Sequence, residues 1–159
     1  MLCKMSSKEH KDVGVHKAEI VAAIRREMLA RGAVESYYNK ITGGTGACES
    51  VNTAFILKNT PELSFLSQTD QLLMEAEILE YNIDAIWTMG RSYRNEPRAG
   101  DGRHLAEFAL LEFEGRDMDL SDLVKFQQKL LCSAIEVALE SNVVSKEHRE
   151  RLKKYSETP

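Results

Sequence analysis

Residues 91–114 read RSYRNEPRAGDGRHLAEFALLEFE. Two segments rich in apolar residues flank a short, charged loop that contains the turn-forming residues Pro97, Gly100 and Gly102. Together with the preceding DAIWTMG, the stretch predicts an antiparallel hairpin with arms at 84–96 and 103–114. Because a hairpin pairs its two arms side by side, this stretch decides that the fold contains an antiparallel sheet.

The rest of the chain predicts helices and short strands around this hairpin. Apolar spacing and capping residues predict helices at 16–31, 69–82 and about 120–141, with a short charged helix near the end. Short strands are predicted within 33–42, 51–57 and 63–68, and a glycine-rich loop within 41–50. Residues 1–14 are polar and aperiodic and predict a flexible tail. We therefore expect an α+β fold in which helices flank an antiparallel sheet.

Composition limits the class of protein. A chain of 159 residues with 43% hydrophobic residues fits one globular domain, and a net charge of -4 gives no support to non-specific nucleic-acid binding. Cys3, Cys48 and Cys132 are far apart and form no CxxC pair, which argues against a disulfide framework and structural zinc. No membrane-length apolar run and no secretory signal are present. We expect a cytoplasmic protein without a membrane partner.

The hairpin brings together groups that suit a nucleoside triphosphate. Residues two apart on a strand share a face, so Arg94 and Glu96 point the same way at the end of the first arm. One face of the second arm carries Phe108, Leu110, Glu112 and Glu114. Arg103 and His104 follow the loop, where a guanidinium suits phosphate oxygens and an aromatic ring can stack on a base. The plainer interpretation is that the charges around this turn are only solvated.

The order of these residues closely resembles motif 2 of the class II aminoacyl-tRNA synthetases, in the group that activates aspartate, asparagine and lysine. The match comprises YRNE, a loop and RHLAEF, with IWTMG upstream and LLEFE downstream. The resemblance implies that Arg94 is the catalytic residue and holds the ATP α-phosphate and the amino-acid carboxylate. It implies that Glu96 accepts from the adenine amino group, that Arg103 and His104 reach the outer phosphates, and that Phe108 stacks on adenine.

The resemblance extends from about 15 to 155 and is most similar to the asparaginyl enzymes. RGAVESYYNKITGGTGACES resembles motif 1 and the mobile loop after it, and Cys48-Glu49 matches a Cys-Glu-Gly sequence, with Ser50 in the glycine position. FLSQTDQLLME resembles the segment that builds the amino-acid pocket. The residues implied to bind the amino acid are Glu49, Ser67, Gln68, Gln71, Glu75 and Arg94. Met74 stands where aspartyl enzymes carry a lysine, which favours asparagine over aspartate.

By this resemblance, residues 15–159 form a truncated catalytic domain that holds motifs 1 and 2. Motif 3 is not recognised, so we expect the ligands of Mg²⁺ in a missing half and no metal ligands here. The implied partners are ATP, asparagine or aspartate, tRNA, and a second copy or a complementary C-terminal half. Motif 1 ends with Asn39 where the family has an interface proline, which leaves dimerisation open.

Two further functions stay open beside an asparagine–tRNA ligase-type core. The first is a non-catalytic synthetase paralogue that binds a nucleotide or a partner, and the second is a synthetase-like asparagine synthetase. Single residues also have plainer interpretations. Glu112 and Glu114 form the floor of the site or are solvated on an open sheet face, and Cys48 is expected to be an inert loop thiol.

Overall fold

Four helices and five strands are present in residues 6–46 and 49–156, the part of the chain that the computed structural model describes. The helices are α1 (Ser7–Ala30), α2 (Gln71–Tyr81), α3 (Leu120–Glu140) and α4 (Lys146–Ser156). The strands are β1 (Val34–Glu35), β2 (Ile41–Thr42), β3 (Phe65–Leu66), β4 (Ala85–Tyr93) and β5 (Glu107–Gly115). This confirms the α+β class and the helices predicted near 69–82 and 120–141. The predicted roles of Cys48 lie outside the described residues.

The predicted hairpin is confirmed, and it forms the centre of a three-stranded sheet in the order β1-β4-β5. β4 and β5 pair antiparallel along their whole length, from Ala85 opposite Gly115 to Tyr93 opposite Glu107. The predicted antiparallel pairing is confirmed for this hairpin, and β1 joins the sheet parallel to β4, which was not predicted. The reason for the parallel pairing is the long connection from β1 to β4, which contains α2 and allows the chain to return in the same direction.

The strand predicted within 33–42 is divided into β1 and β2. Between these strands, Ser36 N–H still donates to Trp87 O of β4, and Lys40 O then accepts from Ser67 N–H beyond β3. The chain thus changes partners from the three-stranded sheet to a second, two-stranded sheet of β2 and β3. The strand predicted within 51–57 is a 3₁₀ turn at Val51–Thr53, with one bridge beyond it from Ile56 to Phe65.

α2 packs its apolar side on β4. Met74, Ile78 and Ile86 form a buried cluster, against which Tyr38 and Ile83 also pack. The helix ends at Asn82, whose φ of 53° is the left-handed conformation that asparagine tolerates at this position. The guanidinium of Arg116 donates to the Ile78 carbonyl at 2.8 Å, which provides one of the last carbonyls of α2 with a partner. The packing fixes α2 beside the hairpin.

The residues divide into two compact units, one of which is Gly32–Asp117 with both sheets and α2. The other unit comprises α1, α3 and α4. α1 begins at Ser7, so the predicted tail is wrong over residues 7–14. Ser6 and Glu9 form a capping box that starts the helix, and the polar residues of its first turns are exposed. α3 buries Phe126, Leu130 and Ala138.

Candidate active site

The candidate site lies on one face of the hairpin. Because residues that are directly opposite in a sheet share a face, the register places alternate residues of both strands together. We call this surface the site face, and it comprises Ile86, Thr88, Gly90 and Ser92 of β4 and Phe108, Leu110, Glu112 and Glu114 of β5. The prediction that the last four residues share a face is therefore confirmed. Every residue of the candidate site belongs to the unit Gly32–Asp117.

Arg94 stands at the open end of the site face. Its N–H donates to Ala106 O at 2.9 Å, which continues the hairpin pairing beyond β4. Its guanidinium carbon lies 5.5 Å from the centroid of the Phe108 ring, and its Nη2 donates to Glu49 Oε1 at 2.8 Å. Within the described residues, Nε of Arg94 is buried and has no hydrogen-bond partner. A donor that is buried and unused suits an anionic oxygen of a ligand.

The loop between the hairpin arms is ordered by its own hydrogen bonds. Gly100 and Gly102 have φ values of 98° and 87°, which a residue with a side chain rarely adopts. Asp101 Oδ1 accepts from the N–H groups of Arg103 and His104, and Asp101 Oδ2 lies 2.6 Å from His104 Nδ1. These contacts hold the pKa of Asp101 at about 2, first through the backbone N–H of His104. The loop therefore presents an anion beside two basic residues.

Glu96 makes longer contacts with this loop than Asp101 does. Its Oε1 accepts from Arg98 N–H at 3.4 Å and lies 3.7 Å from Arg98 Nε. The side chain is still available to a ligand because both contacts are long for a hydrogen bond. Arg103 is exposed. The structure thus places Glu96, Arg103 and His104 around the loop. Arg94 lies with Phe108 and Glu49 at the open end of the site face.

Ser67 and Gln68 are buried, and internal contacts use their side chains. Ser67 Oγ donates to Thr69 O at 2.7 Å, and Gln68 Nε2 donates to Ser50 O and Thr53 Oγ1 at 3.1 and 2.9 Å. The carbonyl of Gln68 accepts from the Ser92 hydroxyl of the site face. Gln68 therefore joins the segment around residues 50–53 to the hairpin.

Several carboxylates lie close together at the end of the site face away from Arg94. Gln71 Nε2 donates to Glu75 Oε1 at 2.9 Å on α2, and Glu112 accepts from the Thr69 hydroxyl and the Asp70 N–H. Burial raises the pKa of Glu114 above its ordinary value, and the nearby charges of Glu75 and Glu112 raise it further. Glu112 and Glu114 are half-buried and Glu75 is exposed, so the first two are not fully solvated, and their role as the floor of the site stays a prediction.

Lys40 and Asp70 form an ion pair over the middle of the site face, which the sequence analysis did not predict. Asp70 is fully buried, and the side chain of Lys40 is 21% exposed. A Cβ built on Gly90 would lie 2.5 Å from Lys40 Nζ and 2.6 Å from Asp70 Oδ2, so the pair occupies the space that glycine leaves. The signal in the sequence was a glycine inside an apolar strand, which indicates a close approach by another group.

Among residues 6–46 and 49–156, no three histidine, cysteine, aspartate or glutamate side chains come together as ligands of a metal ion. The groups present here therefore do not fit a Mg²⁺ site, and we assign no step to that ion. No helix in the same part of the chain is long and apolar enough to cross a membrane.

Comparison with solved structures identifies the class. The asparaginyl-tRNA synthetase of Pyrococcus horikoshii, complexed with asparaginyl-adenylate, superposes with a TM-score of 0.79 at 28% identity. The match covers 95% of this chain and 35% of that one. The asparaginyl-tRNA synthetase of Entamoeba histolytica, also with asparaginyl-adenylate, gives a TM-score of 0.68 at 26% identity over 94% of this chain and 30% of its own. The fold and the hairpin are those of a class II aminoacyl-tRNA synthetase.

The sequence model described as tRNA synthetases class II (D, K and N) matches residues 2–158. The chain belongs to this family. The asparagine–tRNA ligase of Thermococcus gammatolerans is 34% identical over 124 residues, which are 78% of this chain and 28% of that relative. The asparagine–tRNA ligase of Pyrococcus abyssi gives the same identity over 27% of its length. The chain thus spans little more than a quarter of the length of these two relatives.

Proposed function

We propose that this chain is the part of an asparagine–tRNA ligase-type core that binds ATP and asparagine. In the complete reaction, the asparagine carboxylate attacks the α-phosphate of ATP, pyrophosphate leaves, and the resulting asparaginyl-adenylate transfers its acyl group to tRNA with release of AMP. The observation that carries the proposal is Arg94, which lies over the Phe108 ring and keeps a buried Nε without a partner among the described residues.

Arg94 supplies the electrostatic part of this chemistry. Negative charge builds on the α-phosphate oxygens as the carboxylate attacks, and a guanidinium that is already in place stabilises that charge without reorganisation. Phe108 lies beside Arg94 and offers a flat ring to the adenine base. Glu96 can accept from the adenine amino group, and Arg103 and His104 can neutralise the outer phosphates. The loop contacts described above support this division of roles.

Glu49, Gln71 and Glu75 are the proposed contacts of the amino acid. Carboxylates suit the ammonium group of a bound amino acid, and an amide can donate to or accept from the asparagine side chain. Ser67 and Gln68 support the pocket through their internal hydrogen bonds. We propose asparagine over aspartate on the resemblance to the asparaginyl enzymes and not on Met74, because Met74 is buried with Ile78 and Ile86 and does not itself reach the amino acid. The names of the relatives support the same choice.

The further proposed partners follow from this function. The aminoacyl group is transferred to tRNA, and the groups that complete the site come from a complementary C-terminal half or a second copy of the chain. We place the activity in the cytoplasm, where tRNA is charged for protein synthesis. Mg²⁺ would accompany ATP through ligands that the residues described here do not provide.

Calorimetry with ATP tests the proposal. The wild-type chain is expected to bind ATP, and Arg94→Ala should weaken binding by about tenfold or more, because the loss of a charged hydrogen bond costs roughly 1.5–3 kcal/mol. Arg91→Ala is the matched control. Arg91 lies on the same strand outside the site face, where it pairs at 3.7 Å with Glu107, so its loss should leave ATP binding unchanged.

Pyrophosphate exchange separates the enzymatic function from binding alone. The chain, mixed with the remaining part of a related core, should exchange pyrophosphate with asparagine present and not with aspartate. Exchange with aspartate alone would contradict the choice of amino acid. ATP binding without any pyrophosphate exchange would favour the non-catalytic paralogue. In the calorimetric test, an equal loss of ATP binding in Arg91→Ala and Arg94→Ala would contradict the assigned site.

A further inference from the structure

Asp101 uses its two carboxylate oxygens for two different tasks. Oδ1 accepts from the N–H of Arg103 at 2.7 Å and from the N–H of His104 at 2.8 Å, which closes the loop. Oδ2 lies 2.6 Å from Nδ1 of the His104 ring. A residue that only shaped the turn would need the first oxygen alone. The second contact therefore acts on the imidazole and not on the backbone.

The loop geometry brings this carboxylate to the ring. Gly100 and Gly102 flank Asp101 with φ values of 98° and 87°, and Gly100 N–H donates to His104 O at 3.3 Å. Ala99 and His104 also form a bridge across the loop. The backbone on both sides of Asp101 is thus fixed relative to His104. The side chains of Asp101 and His104 are each about one-third exposed, so a ligand can reach the ring.

We propose that Asp101 is a positioning residue that fixes the direction of the His104 ring, so that the protonated ring donates its Nε2–H to the outer phosphates of a nucleoside triphosphate. The inference rests on the proposed function, because the phosphates are those of the ATP that the hairpin binds. Asp101 itself does not touch the nucleotide.

The chemistry follows from the acceptor at Nδ1. An ionised carboxylate can only accept, so Nδ1 carries the hydrogen and Nε2 is the nitrogen that remains for the ligand. When the ring is protonated, Nε2–H donates to a phosphate oxygen while Asp101 stabilises the positive charge from the other side. Asp101 stays ionised for this task because its N–H donors keep its pKa at about 2. Exposed Arg98 and Arg103, the other charges of the loop, make the same region attractive to an anion.

Asp101→Asn separates the two tasks. The amide oxygen can still accept from the two backbone N–H groups, so the loop keeps its closure, but the amide nitrogen cannot accept from Nδ1–H. The ¹⁵N shifts of the His104 ring should show hydrogen on Nδ1 in the neutral wild-type protein and a shift towards the Nε2–H form in Asp101→Asn. This measurement needs no ligand and tests the geometry by itself.

Nucleotide affinity tests the role. ATP binding should weaken roughly five- to tenfold in Asp101→Asn, as expected when one charge-assisted hydrogen bond is lost, whereas AMP binding should change by less than about twofold. In a His104→Ala background, Asp101→Asn should have no further effect on ATP, because the two residues act as one unit. The comparison of ATP with AMP distinguishes an effect on the outer phosphates from a general disturbance of the loop.

Three outcomes would overturn the inference: an unchanged tautomer in Asp101→Asn, an equal loss of ATP and AMP affinity, or a full effect of Asp101→Asn without His104. Failure of the proposed function is a different result. A wild-type protein that is folded and binds neither ATP nor AMP would contradict nucleotide binding itself, and the phosphate role of His104 with it.

Discussion

Glu49 Oε1 accepts a hydrogen bond from Nη2 of Arg94 at 2.8 Å. The two residues are 45 positions apart in the chain, and the contact places a carboxylate of the protein on the guanidinium proposed to hold phosphate and carboxylate oxygens. The side chain of Glu49 is only 10% exposed, whereas that of Arg94 is 39% exposed. An anionic ligand must therefore share Arg94 with Glu49 or displace it.

Substitution of Glu49 by glutamine should strengthen ATP binding. Glutamine keeps the shape and the acceptor oxygen but removes the charge that competes with phosphate. Since partly exposed ion pairs contribute about 0.2–1 kcal/mol, the affinity for ATP should rise about two- to fivefold at moderate salt. Calorimetric titration of both proteins would show the change. A weaker affinity in Glu49→Gln would mean that Glu49 orders Arg94 for the ligand and does not compete with it.

Substitution of Gly90 by alanine should destabilise the unit that carries the hairpin. The new methyl group would meet Lys40 and Asp70 at 2.5 and 2.6 Å, and the fully buried Asp70 has no room to withdraw. Overpacking of this kind costs about 1–3 kcal/mol in the free energy of unfolding. Urea unfolding followed by the fluorescence of buried Trp87, the single tryptophan, reports on β4 directly.

Gly43→Ala is the matched control for Gly90→Ala. A Cβ at Gly43 would make an ordinary contact of 3.6 Å with the Leu63 carbonyl, and its φ is not in the left-handed region. We expect its unfolding midpoint to stay within the range of surface substitutions, about 0.5 kcal/mol either way. Equal destabilisation by both substitutions would show that the clash with the ion pair is not the cause of the effect.

The hairpin and helices α2 and α3 could be predicted because their signals are local. Alternation and turn residues determine β4 and β5, and Asp119 caps α3 through a hydrogen bond to the Asp122 N–H, three residues away. The parallel pairing of β1 with β4 was not predicted, and the first residues of α1 were predicted as a flexible tail. A two-residue strand has too little pattern to show its partner, and a polar first turn resembles an irregular tail.

The candidate site was predictable in its types of residue and not in its contacts. The motif order gave Arg94, Phe108 and Glu49, but only the fold shows that these three meet. The pair of Lys40 and Asp70 depends on a close approach between segments 30 residues apart, which no local spacing encodes. The burial of Gln68 likewise follows from contacts with residues 15 and 18 positions away.

Substitution of Glu114 by glutamine should make stability less dependent on pH. The pKa of Glu114 is raised, first by burial and then by Glu75 and Glu112, so the folded state binds its proton more tightly than the unfolded state. This contribution to stability is fully present below the unfolded value of about 4.5 and is lost as pH rises through the higher folded pKa. Glu114→Gln should therefore be more stable than wild type at pH 7.

At low pH, comparison of Glu114→Gln with the wild-type protein serves as the control. Below pH 4.5 the wild-type side chain is protonated in both states, so the two proteins should differ little in the free energy of unfolding. Thermal unfolding between pH 4 and 8 would show a gap that opens as pH rises. A wild-type protein that is more stable than Glu114→Gln at pH 7 would mean that the Glu114 carboxylate has a stabilising partner when ionised.

Substitution of Met74 by lysine, the residue of aspartyl enzymes at this position, should destabilise the protein and should not change which amino acid it binds. Met74 is fully buried with Ile78 and Ile86, where an ammonium group would lose its hydration without a partner. The cost of such burial places Met74→Lys among the strongly destabilising substitutions, at roughly 3 kcal/mol or more. Urea unfolding measures this loss, and Met74→Leu, which conserves volume, should cost less than about 1.5 kcal/mol.

Met74→Lys also tests the specificity for asparagine over aspartate. Because Met74 is a core residue, Met74→Lys is not expected to gain aspartate binding at concentrations where wild type binds asparagine, since the ammonium group cannot reach a ligand from within the cluster. Calorimetry with aspartate and asparagine on the folded fraction decides the point. Stable folding of Met74→Lys together with new aspartate binding would show that the side chain at this position faces the pocket, and that its charge selects the amino acid directly.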